Sequence, residues 1–472
     1  MDETTILSTE ILDSLEPQWE VDLLPEIRAA IEQTRTKVVI LDDDPTGTQT
    51  SKDLPVLTEW SVAAISDELR GPYPALFILT NSRSLTEDAA CHLGREIGEN
   101  LHQASEQTSI NIRIISRSDS TLRGHFPSEV DAVAQTIGKA DLPYLIVPFF
   151  LEGGRYTLND IHYVKEGEKL VPAALTPFAK DAAFGFTTSE MSKWVEEKTG
   201  GKIPADQVRK VSLDDIRQGG PERVTEVLLE VPDQSACFVN CVSYRDMEVV
   251  VRSLFEAEKR GREFLYRTAA SFVRTSNGVE AQLGLLTKEE LVTGNETGGL
   301  FLVGSYVEKS SQQLEHLLSN SDISPLPVNV TNLLSDSERN REISKAITDV
   351  NQALTDGRDV VVYTSRNLIT GESSEESLQI GKIVSESLIE IVKALTIQPR
   401  YFVAKGGITS SDTATEGLGV KRAMVLGQVQ PGVPVWQLGD ETKYPGMAYI
   451  IYPGNVGAES ALTDIKQLLA RE

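Results

Sequence analysis

Residues 37–50 read Lys37-Val38-Val39-Ile40-Leu41-Asp42-Asp43-Asp44-Pro45-Thr46-Gly47-Thr48-Gln49-Thr50, a short apolar run that breaks at once into three carboxylates and a Pro-Thr-Gly turn. An apolar run too short for a helix and bounded by turn residues reads as a buried strand. The pattern returns at 75–80, 111–115, 144–149, 236–242 and 263–268, while 86–103, 127–137 and 246–259 carry apolar residues at three- and four-residue spacing. Strands separated by helical crossovers of this length pair in parallel. The fold class is α/β.

Past residue 274 the alternation lapses through a polar stretch, then resumes with strands at 300–303, 360–363, 401–404 and 448–452 and a long helix over 375–395. The expected architecture is two α/β domains with largely parallel sheets and a cleft between them: residues 1–276, with 1–35 as a helical or irregular lead-in, a linker at 277–298, and 299–472. Lys plus Arg number 45 against 70 Asp plus Glu, a net charge of −25 that argues against nucleic acid or an anionic membrane surface as partner. The longest apolar stretch, 142–151, is interrupted by Pro143 and Pro148, so no membrane span is expected. The first twenty residues are acidic and lack the marks of a presequence, which makes the cytoplasm the expected location. Cys91, Cys237 and Cys241 read as reduced structural residues.

In open α/β sheets ligands bind at the carboxyl ends of the strands, where the polar constellations of this chain stand. Asp42, Asp43 and Asp44 repel one another unless something positive or rich in hydroxyls, such as Mg²⁺ or a polyol, sits among them. Thr46 and Gly47 let a ligand approach the backbone, the blander alternative being an acidic junction that caps the next helix. Ser116-Arg117-Ser118-Asp119-Ser120-Thr121-Leu122-Arg123-Gly124 offers two forked guanidinium groups for a carboxylate or phosphate, although Asp119 could neutralise one of them. Arg83 and Arg155 add cations at two further strand ends, Arg155 facing an anion or pairing with Glu152. His125 and His162 read as hydrogen-bonding structural residues.

The second half places Gly304-Ser305, Lys405-Gly406-Gly407-Ile408-Thr409-Ser410 and Pro453-Gly454-Asn455-Val456-Gly457 after strands. Glycine turns followed by hydroxyl residues expose backbone N–H groups to phosphate. Neither G-x-x-x-x-G-K-[ST] nor a G-x-G-x-x-G opening a βαβ unit is present, so a phosphate site here is of another kind.

These residues, in this order, resemble the four-carbon acid sugar kinases over nearly the whole chain. The family's Asp-Asp-x-Thr-Gly is similar to residues 43–47 or, allowing for the extra aspartate, to Asp42-Asp43 with the same turn, its Asp-Ser-Thr-Leu-Arg-Gly to 119–124, its Gly-Gly-x-Thr-Ser to 406–410, its Pro-Gly-Val-Pro to 431–434 and its Gly-Asn-x-Gly to 454–457. The resemblance implies an N-terminal sugar-acid-binding domain, a C-terminal ATP-binding domain, and phosphoryl transfer from ATP, with Mg²⁺, to a terminal hydroxyl of a threonate-, erythronate- or 3-oxo-tetronate-type acid. Carried over, the implied catalytic residues are Asp43, Asp119 and Arg123. Substrate contacts go to Asp42, Asp44, Thr46, Gly47, Arg83, Arg117, Ser120, Thr121 and Arg155, and nucleotide contacts to Ser305, Gly406, Gly407, Ile408, Thr409, Gly454, Asn455 and Gly457. Asp43 is the first choice for the carboxylate that orients or deprotonates the hydroxyl, with Asp42, Asp44 and Asp119 as alternatives. The turn Asp-Pro-Thr-Gly-Thr-Gln-Thr, the form Phe-Leu-Glu-Gly-Gly-Arg at 150–155 and the longer stretch around 176–211 depart from the better-known members and point to a branch with a different acid. Rival readings are a metal-dependent aldolase or lyase using the aspartate triplet, and a non-catalytic sugar-acid-binding protein. A homodimer is the base-rate expectation.

Overall fold

The computed structural model describes residues 3–34, 36–280, 284–305, 307–366, 369, 374–454 and 456–471, with 374–378 as backbone only. It divides into two compact units, Met1–Gln282 and Leu283–Glu472. In chain order the first unit carries β1 (Leu7–Ser8), β2 (Lys37–Asp42), β3 (Pro55–Leu57), β4 (Ala75–Leu79), β5 (Ile112–Arg117), β6 (Tyr144–Val147), β7 (Arg155–Leu158), β8 (Ile161–Glu166), β9 (Lys169–Pro172), β10 (Arg209–Val211), β11 (Ala236–Val239) and β12 (Leu265–Thr268). Eight of these pair in parallel in the order β10-β11-β6-β12-β5-β2-β4-β3. Val38, Val39, Ile40 and Leu41 of β2 are all buried, because a central parallel strand is covered on both faces.

Where the strands end has local causes. The run expected over 144–149 stops at Val147, since Pro148 has no N–H to extend the ladder. The helix Glu87–Thr108 is capped by Thr86, carries Glu87 and Asp88 in its first turn, and stops at Ser109 in the left-handed region. The lead-in differs from its expectation: besides the helix Leu24–Thr34 it supplies β1, the edge of a separate antiparallel sheet ordered β1-β9-β8-β7. That sheet is invisible to a search for apolar runs because β8 and β9 are short and interrupted by lysine and glutamate.

The second unit contains β13 (Leu300–Val303), β14 (Ser324–Val328), β15 (Val360–Thr364), β16 (Phe402–Lys405), β17 (Arg422–Gln430), β18 (Val433–Leu438) and β19 (Ala448–Tyr452), ordered β17-β18-β19-β16-β13-β15-β14. The β14 to β16 side is parallel, while β18 pairs antiparallel with both β17 and β19. Pro431-Gly432 forms the β17–β18 turn, with Gly432 at φ +79°. From Leu285 onward the stretch expected as a linker is hydrogen-bonded within this unit: Leu286 N–H donates to Gln428 and Thr293 N–H to Arg400.

One topological feature recurs. In the first unit the chain passes from β2 to the edge strand β3, returns to β4 beside β2, and then crosses to β5 on the other side of β2. The second unit repeats this with β13, β14, β15 and β16. A reversal of strand order parts the connecting loops and opens a crevice at the carboxyl ends of the strands.

Candidate functional site

The crevice of the first unit collects the polar ends of β2, β4 and β5. Asp42 is the last residue of β2, and its Oδ1 lies 3.6 Å from Arg117 Nη1. Asp43 is 4% exposed, with Oδ1 at 4.0 Å from Arg83 and 3.9 Å from Arg117, and among the described residues neither of its carboxylate oxygens has a hydrogen-bond partner. Asp44 caps the 3₁₀ helix Pro45–Thr50 by accepting from Thr46 N–H at 2.8 Å, and it pairs with Arg83. The cap anticipated for this junction is therefore real, but only one of the three carboxylates makes it. Gly47 belongs to the same turn: a Cβ there would sit 2.0 Å from both Asp42 oxygens, so glycine is what lets that carboxyl lie against the backbone.

Arg83 leaves the β4 turn, where Asn81 is left-handed at φ +49°, and its Nη1 reaches Asp119 Oδ1 at 3.1 Å. Asp119 also accepts from Arg123 Nε at 2.9 Å and from the Thr121 hydroxyl. Leu122 at φ +70° and Gly124 at φ +111° fold this loop back, and a Cβ on Gly124 would stand 3.4 Å from Asp43 Oδ2. Ser120 and Thr121 are buried. His162 Nε2 donates to the Ser120 carbonyl at 2.8 Å, and its Nδ1 lies 3.0 Å from the Thr157 hydroxyl. Burial pushes this imidazole down to about 3, so it is a neutral structural residue.

The carboxylates separate by environment. Burial, opposed by Arg117 and reinforced by Asp43, pushes Asp42 up to about 8. Burial also raises Asp43, against the pull of Arg83 and Arg117. In Asp44 the same burial is outweighed by Arg83 and the Thr46 bonds, and in Asp119 by Arg83 and Arg123, so both stay below the usual carboxylate range. Two acids held up and two held down in one crevice is an arrangement typical of sites that move protons.

Two residues of this crevice escaped the reading of strand ends. Arg267, inside β12 and fully buried, donates from Nη2 to the carbonyls of Asp119 at 2.8 Å and Arg123 at 2.9 Å. An arginine within the strand Leu265–Thr268 was the available signal. Glu129, buried at the start of the helix Ser128–Thr136, is pushed by burial to about 7 against a hydrogen bond from Ser82. Arg155 does not pair with Glu152, the structural role set against anion binding for it; Glu152 accepts from Arg274 at 2.6 Å, while Arg155 donates to the Gly153 carbonyl.

The crevice of the second unit joins the ends of β13, β16 and β19. Gly304 admits the Thr409 side chain, which a Cβ would meet at 2.3 Å, and Gly406 at φ +116° brings its backbone against Ser305. The Ser310 hydroxyl donates to Ser305 Oγ at 3.1 Å and lies 3.2 Å from the Gly454 carbonyl. Gly407 opens the helix Gly407–Asp412, and the neighbouring Ile408 is 62% exposed. Gly457, at φ +84°, leaves room for the Tyr452 hydroxyl, while Asn455 lies outside the described residues. Beneath these turns Lys405 is fully buried, donating Nζ to the carbonyls of Pro453 at 2.6 Å and Gly454 at 3.0 Å. Burial, with Lys309 nearby, lowers it to about 7. Arg366, at the end of β15, donates to the Ser305 carbonyl at 2.6 Å. Close-approach glycines, hydroxyls and two cations fit a phosphate chain.

Comparison with known families gives a consistent picture. Residues 38–276 match the model of a sugar-binding N-terminal domain and residues 300–462 that of a nucleotide-binding C-terminal domain. The chain belongs to the four-carbon acid sugar kinase family. Like this family member, two solved structures share the fold. One is a Salmonella typhimurium LT2 protein provisionally described as a tRNA synthase, 14% identical, covering 91% of this chain and 99% of its own, with a TM-score of 0.67. The other is Haemophilus influenzae protein HI1011 of the family DUF1537, 17% identical, covering 92% and 100%, with a TM-score of 0.63. No curated protein matches. No helix among the described residues of this sugar kinase family member is long and apolar enough to cross a membrane.

Proposed function

We propose that this protein is an ATP-dependent kinase that phosphorylates a terminal hydroxyl of a small sugar acid. The observation that carries the reading is Asp43: a buried carboxylate with both oxygens free of hydrogen bonds among the described residues, standing between Arg83 and Arg117 at the switch point of the sugar-binding domain. Phosphoryl transfer needs alignment, charge neutralisation and a group that orients or takes the proton of the attacking hydroxyl. Asp43 takes that proton, Asp119 fixes Arg83 and Arg123, and Arg123 faces the charge that develops. Asp42, Asp44, Thr46, Gly47, Arg117, Ser120 and Thr121 shape the pocket.

ATP supplies the phosphoryl group. Ser305, Gly406, Gly407, Ile408, Thr409, Gly454 and Gly457 would hold it, and Mg²⁺ would arrive with it, held mostly by phosphate oxygens and water. Among the described residues no group of three or more His, Cys, Asp or Glu side chains is arranged to hold a metal ion. The aspartate triplet meets the guanidinium groups of Arg83 and Arg117, which supply the positive charge such a cluster requires.

A coupled ADP-release screen with Mg-ATP over four- to six-carbon sugar acids tests the assignment. ADP release dependent on one acid, with a phosphorylated product, supports it; acid cleavage without ATP consumption would favour the lyase instead. Lys405→Met carries a second expectation. Removing the Lys405 amine leaves the Pro453 and Gly454 carbonyls without their donor and loosens the turns above it, so the KM for ATP should rise roughly 10- to 100-fold with a smaller change in KM for the acid. Steady-state kinetics with each substrate varied decides it, and an unchanged ATP dependence would remove Lys405 from the nucleotide site.

A further inference from the structure

Five guanidinium groups gather around the loop that follows β5, and they are not equivalent. Arg83 is met by Asp44 and Asp119, Arg117 by Asp42 and Asp43, and Arg123 by Asp119 and Asp181. Each of these three cations has at least one carboxyl group of the chain within 4 Å. Among the described residues neither Arg155 nor Arg267 has a carboxylate within ion-pair distance; Asp119 acts on both only at longer range, as do Glu166 on Arg155 and Asp43 on Arg267. Arg155 spends one Nη1 bond on the Gly153 carbonyl and leaves a buried Nε without an acceptor. Arg267 gives Nη2 to two carbonyls and leaves both Nε and Nη1 without acceptors, although the residue is fully buried.

A guanidinium does not shed its charge when buried, and donors left without acceptors are costly. His162, which lies within the field of both arginines, is neutral and brings no counter-charge. Aromatic rings close one side of the group. The Arg155 guanidinium carbon stands 5.6 Å from the Phe178 ring centre, that of Arg123 stands 5.1 Å from the same ring, and that of Arg267 lies 5.5 Å from the Trp194 ring. Flat cations held against aromatic faces keep their N–H edges for a planar anion.

We propose that Arg155, backed by Arg267 and walled by Phe178, receives the carboxylate of the acid substrate, while Arg83, Arg117 and Arg123 serve the reacting end. This rests on the sugar-acid kinase reading and sharpens it, because it names which of the arginines separates an acid from a neutral polyol of the same length.

The test compares wild type, Arg155→Ala, Arg155→Lys and Arg155→Gln with threonate and erythronate as acids and threitol and erythritol as neutral counterparts. Two measurements are made: ADP release, and the shift of the thermal unfolding midpoint on adding threonate, which needs no turnover. The alanine variant should lose roughly 10- to 100-fold in kcat/KM for the acid, through KM, so that the ratio of acid to polyol falls by a comparable factor. Lysine should restore part of the loss. Threonate should raise the unfolding midpoint of the wild type and not that of the alanine variant, with the glutamine variant standing in if alanine does not fold. An unchanged ratio of acid to polyol, or a threonate shift that survives the substitution, overturns the subsite. A wild type stabilised by threonate yet releasing no ADP with any acid would defeat the kinase reading while the Arg155 comparison still decides the subsite. A wild type neither stabilised by nor active on these acids overturns both.

Discussion

Asparagine at position 43 is expected to lower kcat roughly 10²- to 10⁴-fold while the fold and nucleotide affinity persist, the range found when a positioned general base is removed. The side chain keeps its shape, and since neither Asp43 oxygen makes a hydrogen bond, no network is torn by the change. What disappears is the proton acceptor. Nucleotide titration calorimetry and single-turnover rates check the two halves of the claim; a kcat close to that of the wild type would move the role to another carboxylate. The pH profile separates Asp42 and Asp43, both raised by burial, from Asp44 and Asp119. Burial raises Asp43, opposed by Arg83 and Arg117, and a base acts only when ionised. Activity should therefore fall as pH drops through a value above the ordinary carboxylate range, so the acid limb of kcat/KM lies higher than a free aspartate would place it. A limb at or below that range would point to Asp44 or Asp119, which their arginines hold low.

Gly47→Ala should damage both the stability and the turnover of the sugar-binding unit. Its Cβ would fall 2.0 Å from both oxygens of Asp42, a carboxyl that is 1% exposed and has nowhere to retreat. Overpacking of this kind costs about 1–3 kcal/mol, which for a unit of this size lowers the unfolding midpoint by several degrees. Displacing Asp42 also shifts Asp43, its neighbour in the chain, so kcat should drop about 100-fold, the effect of a misplacement near 1 Å. Calorimetry and kcat together test this, and the double variant Gly47→Ala with Asp42→Ser adds a check: if the clash is the cause, shortening residue 42 recovers much of the midpoint. A double variant as unstable as the sum of the two single changes would reject the steric explanation.

The parts of this fold that were legible in sequence are those with a strong local signal. The strands β2, β4, β13 and β19 announce themselves because they are buried on both faces and therefore nearly continuous in apolar residues. The antiparallel pieces were not legible. β17 alternates buried and half-buried positions from Arg422, and β8 ends in Lys165 and Glu166, so neither forms an apolar run. The site divides in the same way. Asp42–Asp44, Arg83, Arg117 and Arg123 lie at strand ends or in the loops that follow them and could be found by position, whereas Arg267 lies inside a strand and Glu129 inside a helix. Their membership depends on which strand lies beside β5 and which helix end faces the Ser82 turn, and both are long-range pairings.

By itself the sequence determined that this protein is built from βα units in two successive sets, that acid and arginine loops end the strands of the first and glycine-hydroxyl turns those of the second, and that its motifs are those of one kinase family. Apolar runs, turn residues and motif spacing are local properties, so they survive without coordinates. Only the tertiary structure decided that β2 and β13 each lie at a reversal of strand order, which brings loops distant in the chain into one crevice. It also decided how the charges match: which aspartates lie against the arginines and, among the described residues, which carboxyl is left buried without a hydrogen bond and that Arg155 and Arg267 have no carboxylate within ion-pair distance. Pairing of this kind is set by separations of a few ångströms between side chains far apart in sequence, which no local pattern encodes.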